Sequence, residues 1–489
     1  MQIRRTKIIA TLGPATESPE ALKALLEAGA DVLRINLSHG THKEQAVRVA
    51  QVRGMALTLK KEVAVLADLR GPKIRLEKFA DGEVTLESGD TFTLDASNDA
   101  PPGDQNTIGV TYKGLADDLD VDDLLLLDDG LVTMRVVEIQ GKKIICNVEA
   151  GGVLGDRKGI NVQGGGLSLP GIAEHDIEDI PRAAAMGAEY LAVSFPRNAD
   201  DMNEARRRLR EAGSQASLVA KIERTEAITN LEEIIAASDA VLIARGDLGV
   251  EIGDAELPGL QKRITEKSLA QNKIVITATQ MMQSMIESPI PTRAEVLDVA
   301  NSVFDGTDAV MLSAETAVGR HPDIVVEAMN RICLGAERHD DSRLDCDHLN
   351  VQFQRIDQAI AMAAMFMATN VSVQAIVALT ESGSTAQWLS RVRSDVPIFA
   401  LSPSAESRRR MALFRGVYPV AHDFPAVDVE EALVESVQLL VAQGYIKVGD
   451  RIILTMGENT GNEGGTNTLR LAQVGEGGYS EFHPSLDID

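Results

Sequence analysis

The 489-residue sequence is poor in aromatic residues, cysteine and positive charge. Its 48 Lys and Arg residues against 73 Asp and Glu give a net charge of −25, which disfavours non-specific binding to nucleic acid or an anionic membrane. Cys146, Cys333 and Cys346 have neither CxxC nor zinc-type spacing, which indicates a reducing compartment. We find no apolar run of about 18 residues and no signal-peptide pattern. We therefore expect a cytoplasmic protein without nucleic-acid or membrane partners.

The sequence also lacks the common nucleotide-binding loops. It contains neither GxxxxGK[ST] nor a GxGxxG between a strand and a helix, so we do not expect a P-loop or Rossmann mode of nucleotide binding. Because the net charge is negative, any phosphate or carboxylate ligand must be met by a local group of cations.

Short apolar, β-branched runs alternate with amphipathic helical segments along much of the chain. This alternation is typical of parallel strands joined by crossover helices, and about eight such strands would close a (β/α)₈ barrel. In the first unit, Ser18 is a candidate helix N-cap, Pro19 the first helical residue, and Gly29 the end of the helix. The predicted barrel strands lie in KIIATL, VLRINLS, VAVLADL, YLAVSF, LVAKIE, AVLIARGD, KIVITATQ and AVMLSAET.

Two parts of the chain depart from this alternation. Between residues 70 and 169 helical periodicity is lost and Asp/Gly turns separate short strands, which predicts an inserted β-barrel lid domain hinged near Pro72 and Pro170. After about residue 350 a third α/β unit begins, in line with roughly 150 residues per domain. We expect an α/β protein with barrel residues 1–69 and 170–345, a lid at 70–169 and a C-terminal α/β regulatory domain at 346–489.

Polar residues recur at the C-terminal ends of the predicted barrel strands, where barrel enzymes build their sites. Because side chains on a strand alternate between its two faces, residues two apart share one face. We expect such rows at Arg34, Asn36 and Ser38, at Lys221 and Glu223, at Arg245 and Asp247, and at Ser313 and Glu315, with Asp68, Ser194 and Thr279 ending other strands.

Glu223 and Asp247 are predicted to end adjacent strands, so their carboxylates would share one hard cation, for which Mg²⁺ is the natural choice. Lys221 faces the same way and would stabilise charge on a transferring phosphoryl group. The alternative is a structural Lys221–Glu223 ion pair, but strand neighbours two residues apart lie about 7 Å from each other, which leaves room for a third charged group. Arg34 adds a cation whose planar fork suits phosphate or carboxylate.

Four further residues are candidates for ligand contacts. Gly246 in RGDLG would bring backbone amides close to a carboxylate at a helix N-terminus, although Gly-Asp pairs are also common in turns. Thr279 offers a hydroxyl for substrate contact or proton relay, or else faces the core. Arg75 and Lys158, near the two ends of the insertion, are candidates for contacts with nucleotide phosphates, or are ordinary surface cations.

An ordered set of motifs extends over roughly the first two thirds of the chain. The motifs are LRINLSHG, ADLRGPKIR, LLDDG, KIERTEA, ARGDLGVEI, ITATQMMQSM, PTRAEVLDVAN and DGTDAVMLSAETAVG. In these motifs the chain resembles pyruvate kinase, and GPKIR, SFPR and MLSAET are most similar to the bacterial type activated by AMP or sugar phosphates. The resemblance implies phosphoryl transfer from phosphoenolpyruvate to ADP in glycolysis, by a homotetramer.

The resemblance also implies a role for each matching residue. The substrate contacts would come from Arg34, Lys221, Gly246, Asp247 and Thr279, with Arg34, Lys221 and Thr279 acting in catalysis. Glu223 and Asp247 would hold Mg²⁺, with Mn²⁺ as an alternative. The remaining assignments are nucleotide binding by Asn36, His39, Arg75 and Lys158, a monovalent-cation site at Asn36, Ser38, Asp68 and the Leu69 backbone, and a proton relay through Ser313 and Glu315.

Three positions depart from the family pattern. Lys73 stands where many members have glutamate, Leu69 where many have threonine, and Val318 where many have lysine. An ammonium attached to the chain at Lys73, reaching towards Asp68 and the phosphate, would replace the monovalent cation. We therefore expect activity without K⁺, and we expect one nucleotide contact to be absent at Val318.

The segment TESGST in the C-terminal unit follows a predicted strand and precedes a helix. Its hydroxyls and the helix N-terminus would bind the phosphate of an effector, or Ser384 or Thr385 would simply cap the helix. The resemblance favours the effector site, with Thr380, Ser382, Gly383, Ser384 and Thr385 as its residues.

Two other functions compete with the phosphotransferase. The first is a Mg²⁺-dependent lyase or aldolase on the same type of barrel, which would need no lid. The second is a catalytically silent metabolite sensor, which would not need Lys221, Glu223 and Asp247 together.

Overall fold

The computed structural model describes residues 3–339, 353, 355–423, 429–457 and 465–481. Ser18 caps the first helix by accepting a hydrogen bond from the Ala21 N–H at 3.1 Å, Pro19 is the first helical residue, and Gly29 follows its end at φ 121°, as predicted. The first elements are β1 (Lys7–Thr11), a 3₁₀ turn (Pro14–Thr16), α1 (Pro19–Ala28), β2 (Val32–Asn36), α2 (His42–Leu59) and β3 (Ala64–Asp68).

The inserted lid is a curled sheet with its own hydrophobic core. Its elements are β4 (Ile74–Arg75), β5 (Glu83–Leu86), β6 (Thr91–Asp95), β7 (Thr107–Gly109), α3 (Leu115–Asp118), β8 (Leu124–Leu127), β9 (Val132–Gln140), β10 (Lys143–Ala150), β11 (Gly152–Gly155) and β12 (Gly159–Val162). The seven-stranded sheet has the order β4-β12-β8-β9-β10-β6-β7, and a bridge between Leu76 and Val110 joins its two ends. Because β4 pairs with β12, the two linkers to the barrel lie side by side.

The second part of the barrel follows the lid. Its elements are α4 (Glu174–Ala185), β13 (Tyr190–Val193), α5 (Ala199–Glu211), β14 (Ser217–Ile222), α6 (Thr225–Thr229), α7 (Leu231–Ala237), β15 (Ala240–Ala244), α8 (Arg245–Ile252), α9 (Leu257–Ala270), β16 (Ile274–Ala278), a 3₁₀ turn (Gln283–Ile286), α10 (Arg293–Asp305), β17 (Ala309–Leu312), α11 (Ala314–Ala317) and α12 (Pro322–Glu337).

Eight parallel strands close the barrel in the order β1-β17-β16-β15-β14-β13-β3-β2, which confirms the predicted (β/α)₈ architecture. Side chains alternate along each strand, so that Ile8 and Ala10 pack in the cluster beneath the helices, whereas Ile9 packs in the second cluster inside the barrel. None of the helices in the described part of the chain combines the length and apolar character needed to span a membrane.

The C-terminal unit is a six-stranded sheet with helices, as expected. Its elements are α13 (Ile356–Asn370), β18 (Ala375–Leu379), α14 (Ser384–Ser390), β19 (Ile398–Ser402), α15 (Ala405–Met411), β20 (Val417–Ala421), α16 (Val429–Ala442), β21 (Arg451–Met456), β22 (Thr468–Gly475) and β23 (Gly478–Glu481), in the sheet order β20-β19-β18-β21-β22-β23. The predicted boundary at 345/346 and Cys346 lie outside the described residues.

The barrel and the C-terminal unit share one hydrophobic cluster. This cluster runs from the barrel interior, at Ile9 and Leu66, into the C-terminal sheet at Ile376 and Ile453. The Tyr190 hydroxyl donates to the Arg410 carbonyl at 2.6 Å, and Arg391 Nη1 donates to Asp308 Oδ2 at 3.0 Å within a buried ion pair. The N-terminal end of the barrel is therefore covered by the C-terminal unit, while the opposite end faces the lid.

Candidate active site

Arg34 and Asp68 meet where β2 and β3 end. Arg34 donates from Nε to Asp68 Oδ2 at 2.7 Å and from Nη1 to the Thr11 hydroxyl at 3.1 Å. Burial disfavours the Asp68 carboxylate, but Lys221 and Arg34 outweigh burial and lower the pKa of Asp68. Asp68 is therefore an anion shared by two cations at the rim.

Lys221 lies at the centre of the rim with its ammonium almost fully buried. Its Nζ is 2.8 Å from Glu223 Oε1 and 3.3 Å from Asp68 Oδ1, and it donates to Ser194 Oγ at 2.7 Å. Burial disfavours the charge, but Asp68 and Glu223 outweigh burial and raise the pKa of Lys221. The alternative of a Lys221–Glu223 ion pair is therefore confirmed, because the two long side chains bridge the spacing of about 7 Å between strand neighbours.

Glu223 directly follows β14, and Asp247 lies on α8, which follows the adjacent strand β15. Glu223 Oε2 accepts the Phe195 N–H at 2.9 Å. Burial raises the pKa of Glu223 to about 7, an effect that Lys221 opposes and Asp247 reinforces. Asp247 therefore acts on Glu223 as a nearby like charge, and a shared cation would relieve this repulsion.

The two carboxylates fit a hard divalent cation, because oxygen donors of this kind are its preferred ligands. In the described ranges, no group of three or more His, Cys, Asp or Glu side chains is arranged to hold a metal. Oxygens of substrate and water would complete the coordination shell of a cation on this pair.

The predicted row of Arg245 and Asp247 on one strand was wrong. Strand β15 ends at Ala244 and α8 begins at Arg245, so the side-chain period changes from that of a strand to that of a helix. Arg245 turns away from the rim to bind Asp298 at 2.6 Å and the Thr279 carbonyl at 2.9 Å, whereas Asp247 lies in the first helical turn. Arg245 thus fixes β16 to β15.

Gly246 and Thr279 contact each other beside Asp247. The Gly246 N–H donates to the Thr279 hydroxyl at 2.7 Å, and this hydroxyl donates to the Ala278 carbonyl at 2.7 Å. Thr279 has φ 65°, a left-handed conformation that is strained for a β-branched residue. Such strain is typical of a functional position, and it presents the hydroxyl to the N-terminus of α8.

The residues expected at the monovalent-cation site lie at the ends of β2 and β3. Asn36 Oδ1 accepts the Ser38 N–H at 3.0 Å, and the Leu69 carbonyl accepts the Ser194 hydroxyl at 2.8 Å. Next to them, the exposed His39 donates its N–H to the Asn36 carbonyl at 3.3 Å. The segment thus presents exposed polar groups beside the buried Asp68.

The prediction that Lys73 reaches Asp68 was wrong. Its ammonium lies 2.7 Å from Asp247 Oδ1 and 3.9 Å from Asp129 Oδ1. Burial disfavours the ammonium, but the carboxylates of Asp247, Asp129 and Glu223 outweigh burial and raise the pKa of Lys73. Lys73, just before the first strand of the lid, pairs with Asp247 on α8, whereas Asp68 is already paired with Arg34 and Lys221.

Arg75 ends the lid strand β4, and Lys158 directly precedes the neighbouring strand β12. Arg75 pairs with Gly159 in the sheet and donates from Nη1 to the Arg157 carbonyl at 3.0 Å. Lys158 Nζ is 3.0 Å from Asp128 Oδ1. Both cations are therefore held within the lid and would move with it.

The predicted strand row of Ser313 and Glu315 was also wrong. Strand β17 ends at Leu312, and Ser313 is the N-cap of the short helix α11. The buried Glu315 accepts N–H groups from Ser313 at 2.7 Å and from Met282 at 3.2 Å. It joins two loops at the rim.

The TESGST segment forms a turn between β18 and α14. Gly383, at φ 88°, is the N-cap of α14, so capping by Ser384 or Thr385 was wrong. Thr380 Oγ1 accepts the Gly383 N–H at 3.0 Å, and the hydroxyl of the buried Thr385 lies 2.5 Å from that of Thr466. A cavity of about 710 Å³ adjoins the turn at Ser382 and Ser384, and its charged lining consists of Arg206, Arg210, Arg410, Asp239, Glu381 and Glu406.

A (β/α)₈ barrel whose rim gathers cations and carboxylates beneath an inserted lid defines a barrel enzyme acting on a small anionic substrate. Residues 3–326 match the pyruvate kinase barrel domain, and residues 358–472 match the pyruvate kinase alpha/beta domain. The chain is 50% identical to pyruvate kinase II of Salmonella typhimurium (97% of this chain, 99% of the relative). It is 46% identical to pyruvate kinase of Haemophilus influenzae (96% and 98%) and 40% identical to that of Staphylococcus aureus (97% and 81%). The chain therefore belongs to the pyruvate kinase family and is a phosphotransferase.

Proposed function

We propose that this enzyme transfers the phosphoryl group of phosphoenolpyruvate to ADP in the cytoplasm, giving pyruvate and ATP with a divalent cation, Mg²⁺ or Mn²⁺, at Glu223 and Asp247. The observation that carries the proposal is the buried ammonium of Lys221 between Glu223 and Asp68 at the barrel rim. The names of the bacterial relatives support the same reaction.

Arg34 and Lys221 supply the positive charges that would bind the phosphoryl group. The transition state of phosphoryl transfer spreads negative charge over equatorial oxygens, and preorganised cations stabilise this charge. Both side chains contact Asp68, so the carboxylate holds them in place before substrate arrives. Arg34 binds the substrate phosphate, and Lys221 acts on the group in transfer.

Gly246, Asp247 and Thr279 hold the remainder of phosphoenolpyruvate. The first turn of α8 directs N–H groups towards the rim, which favours a carboxylate there. The metal, when bound, neutralises charge on the phosphoryl and carboxylate oxygens. Thr279, with Ser313 and Glu315, forms the proposed route for the proton that enolpyruvate takes up.

Four residues form the proposed nucleotide site. Asn36 and His39 contribute from the rim, and Arg75 and Lys158 from the lid. Because the lid cations lie on the strands next to both linkers, closure would carry them towards a bound nucleotide. Exclusion of water then favours transfer to ADP over hydrolysis.

The proposed enzyme does not require K⁺. Lys73, directly before the first strand of the lid, brings a positive charge to the rim, where it pairs with Asp247. This charge would make up for a monovalent cation at Asn36, Ser38, Asp68 and the Leu69 backbone, although it lies at Asp247 and not at Asp68.

An assay of pyruvate formation from phosphoenolpyruvate, with and without ADP, tests the reaction. We expect formation that depends on both ADP and divalent cation. Pyruvate without ADP would indicate a lyase or hydrolase, and no pyruvate under either condition would indicate a silent sensor. Either result would overturn the proposal.

We also propose a homotetramer activated by AMP or a sugar phosphate at Thr380, Ser382, Gly383, Ser384 and Thr385. Of the arginines around the cavity beside Ser382 and Ser384, two pair with carboxylates of its lining, and the third, Arg210, donates to the Ser214 carbonyl and supports an anionic effector. Ile290, Leu297 and Phe304 are 70%, 64% and 40% exposed around α10, and such apolar groups support contact with a second copy. Light scattering during size-exclusion chromatography would measure the mass of the assembly, and a monomer would refute the homotetramer.

The domain division at 69/70, 169/170 and 345/346 is also part of the proposal.

A further inference from the structure

Ser194 and Phe195 lie between the first lid linker and the two charged residues at the centre of the rim. They directly follow β13, and both are almost fully buried. Ser194 contacts Lys221, and Phe195 contacts Glu223. The dipeptide thus touches both members of this ion pair without carrying charge itself.

The hydrogen bonds of Ser194 fix the direction of its hydroxyl. An ammonium has no lone pair, so Lys221 must donate to Ser194 Oγ, which lies 2.7 Å away. The single hydroxyl proton then goes to the Leu69 carbonyl at 2.8 Å, a shorter contact than the 3.4 Å to Asp68 Oδ1. Ser194 is therefore a neutral acceptor aimed at Lys221 from the end of β13.

Phe195 is held in an unusual backbone conformation. Its φ of 56° lies in the left-handed region, which is strained for a bulky residue other than glycine. In this conformation its N–H donates to Glu223 Oε2 at 2.9 Å. The contact with a buried carboxylate offsets the strain and keeps the dipeptide in place.

The first lid linker packs directly against the same dipeptide. Gly71 has φ 68°, and a Cβ added to it would lie 2.6 Å from Ser194 Cβ and 2.9 Å from the Phe195 ring. The linker backbone can approach this closely only because glycine has no side chain. A shift of the linker would therefore press on the residues that hold Lys221 and Glu223.

We propose that Ser194 is a positioning residue for phosphoryl transfer. Its hydroxyl holds the Lys221 ammonium where it can contact the phosphoryl group in transfer. The proposal rests on the proposed role of Lys221. Two carboxylates already neutralise Lys221, so loss of the hydroxyl would leave the charge paired. What would change is the place of the ammonium, which would settle towards Asp68 and Glu223.

The test compares Ser194→Ala with Ser238→Ala. Ser238 is a matched control because its buried hydroxyl also makes a hydrogen bond, to the Ile234 carbonyl at 2.6 Å, at the opposite end of the barrel. We expect Ser194→Ala to lower kcat roughly 10- to 100-fold, with a change in KM for phosphoenolpyruvate of about threefold or less. The control is expected to stay within about twofold of the parent.

A second measurement separates positioning from a loss of structure. Exchange of solvent protons into pyruvate needs the substrate site but not phosphoryl transfer, so we expect Ser194→Ala to retain it. In a Lys221→Met background, Ser194→Ala should change the residual transfer rate less than about twofold, because it acts through Lys221.

Three results would overturn the inference. They are a kcat equal to that of the Ser238→Ala control, an equal fall in transfer and proton exchange, or a further large loss in the Lys221→Met background. Failure of the parent enzyme to form pyruvate would instead refute the proposed function, so the two failures are distinguishable.

Discussion

The ammonium of Lys73, the residue before the first strand of the lid, lies 2.7 Å from Oδ1 of Asp247, on the first turn of α8. Asp247 is also one of the two carboxylates proposed to hold the divalent cation. The contact thus joins the lid to the barrel. It also places the ammonium of Lys73 beside a carboxylate that is proposed to bind the metal ion.

The first prediction is that activity does not depend on K⁺ and that Lys73→Glu creates such a dependence. The substitution replaces the ammonium near Asp247 with a second negative charge, which a monovalent cation would then have to balance. The measurement is kcat in tetramethylammonium buffer with and without KCl. The exposed Lys43→Glu serves as the control. Strong stimulation of the parent by KCl would contradict this expectation.

The second prediction is that Lys221→Met lowers kcat by several orders of magnitude, with a modest change in KM, because the ammonium acts mainly in the transition state. Removing it also takes away the ion-pair partner of the buried Glu223, which would cost about 3–5 kcal/mol of stability. Circular dichroism must therefore accompany the kinetics. Lys273→Met is the matched control, since Lys273 donates to the Ser238 carbonyl at the far end of the barrel. Near-normal turnover would rule out the assignment.

The third prediction is that Asp247→Asn weakens divalent-cation binding by about tenfold or more, because a neutral amide is a poorer ligand than a carboxylate. Calorimetric Mg²⁺ titration and Mn²⁺ electron paramagnetic resonance measure binding without relying on activity. Asp239→Asn is the control, since Asp239 precedes the same strand at its opposite end. Titrations of Asp247→Asn that overlay those of the parent would show that Asp247 is not a ligand.

The fourth prediction concerns Glu251, a buried carboxyl of α8 that accepts the Thr225 N–H at 2.9 Å. Burial raises its pKa from 4.5 to about 7. Glu251 has a higher pKa in the folded protein than in the unfolded chain, so its protonated form favours folding. This contribution to the free energy of unfolding is complete below pH 4.5 and is lost as pH rises to about 7. The free energy of unfolding falls by about 3 kcal/mol in this way.

Glu251→Gln removes this titration. We therefore expect the melting temperature of Glu251→Gln, relative to the parent, to rise between pH 5 and pH 8 in metal-free buffer by roughly 2–3 °C. Glu178→Gln controls for the loss of one exposed carboxylate. A constant difference between Glu251→Gln and the parent across this range would show that Glu251 does not titrate there.

The fifth prediction is that a Ser382→Asp, Ser384→Asp double variant loses activation by AMP and by sugar phosphates, because two carboxylates repel a phosphate. The corresponding double alanine variant removes the hydroxyls without adding charge, so we expect it to retain part of the activation. Activation curves over a range of effector concentration decide the matter. An unchanged response of the aspartate variant would place the effector elsewhere.

The barrel could be predicted from the sequence because its signals are local. Each strand is a short buried run, and caps such as Ser18 and Gly29 mark helix ends through hydrogen bonds with near neighbours. The candidate site followed from one rule, that polar residues at the C-terminal ends of parallel strands lie on one rim. Arg34, Asp68, Lys221 and Glu223 do come together there.

The errors arose where a strand stops or a side chain is long. A helix begins directly at Arg245, and Ser313 caps another, so a period of two no longer describes which face a residue occupies. The reach of Lys73 depends on which carboxylates are already paired, which sequence spacing does not encode. No sequence signal marks Phe195 as left-handed, because the conformation is imposed by the contacts around it.

Because one hydrophobic cluster is common to the barrel interior and the C-terminal sheet, we expect the molecule to unfold as two cooperative units instead of three. The lid encloses its own core, so it is free to open or unfold while the other unit stays intact. The C-terminal sheet cannot loosen without exposing the inside of the barrel to water. In hydrogen exchange, amides of β18 and β16 should therefore share one opening free energy, whereas those of β9 and β10 should show their own.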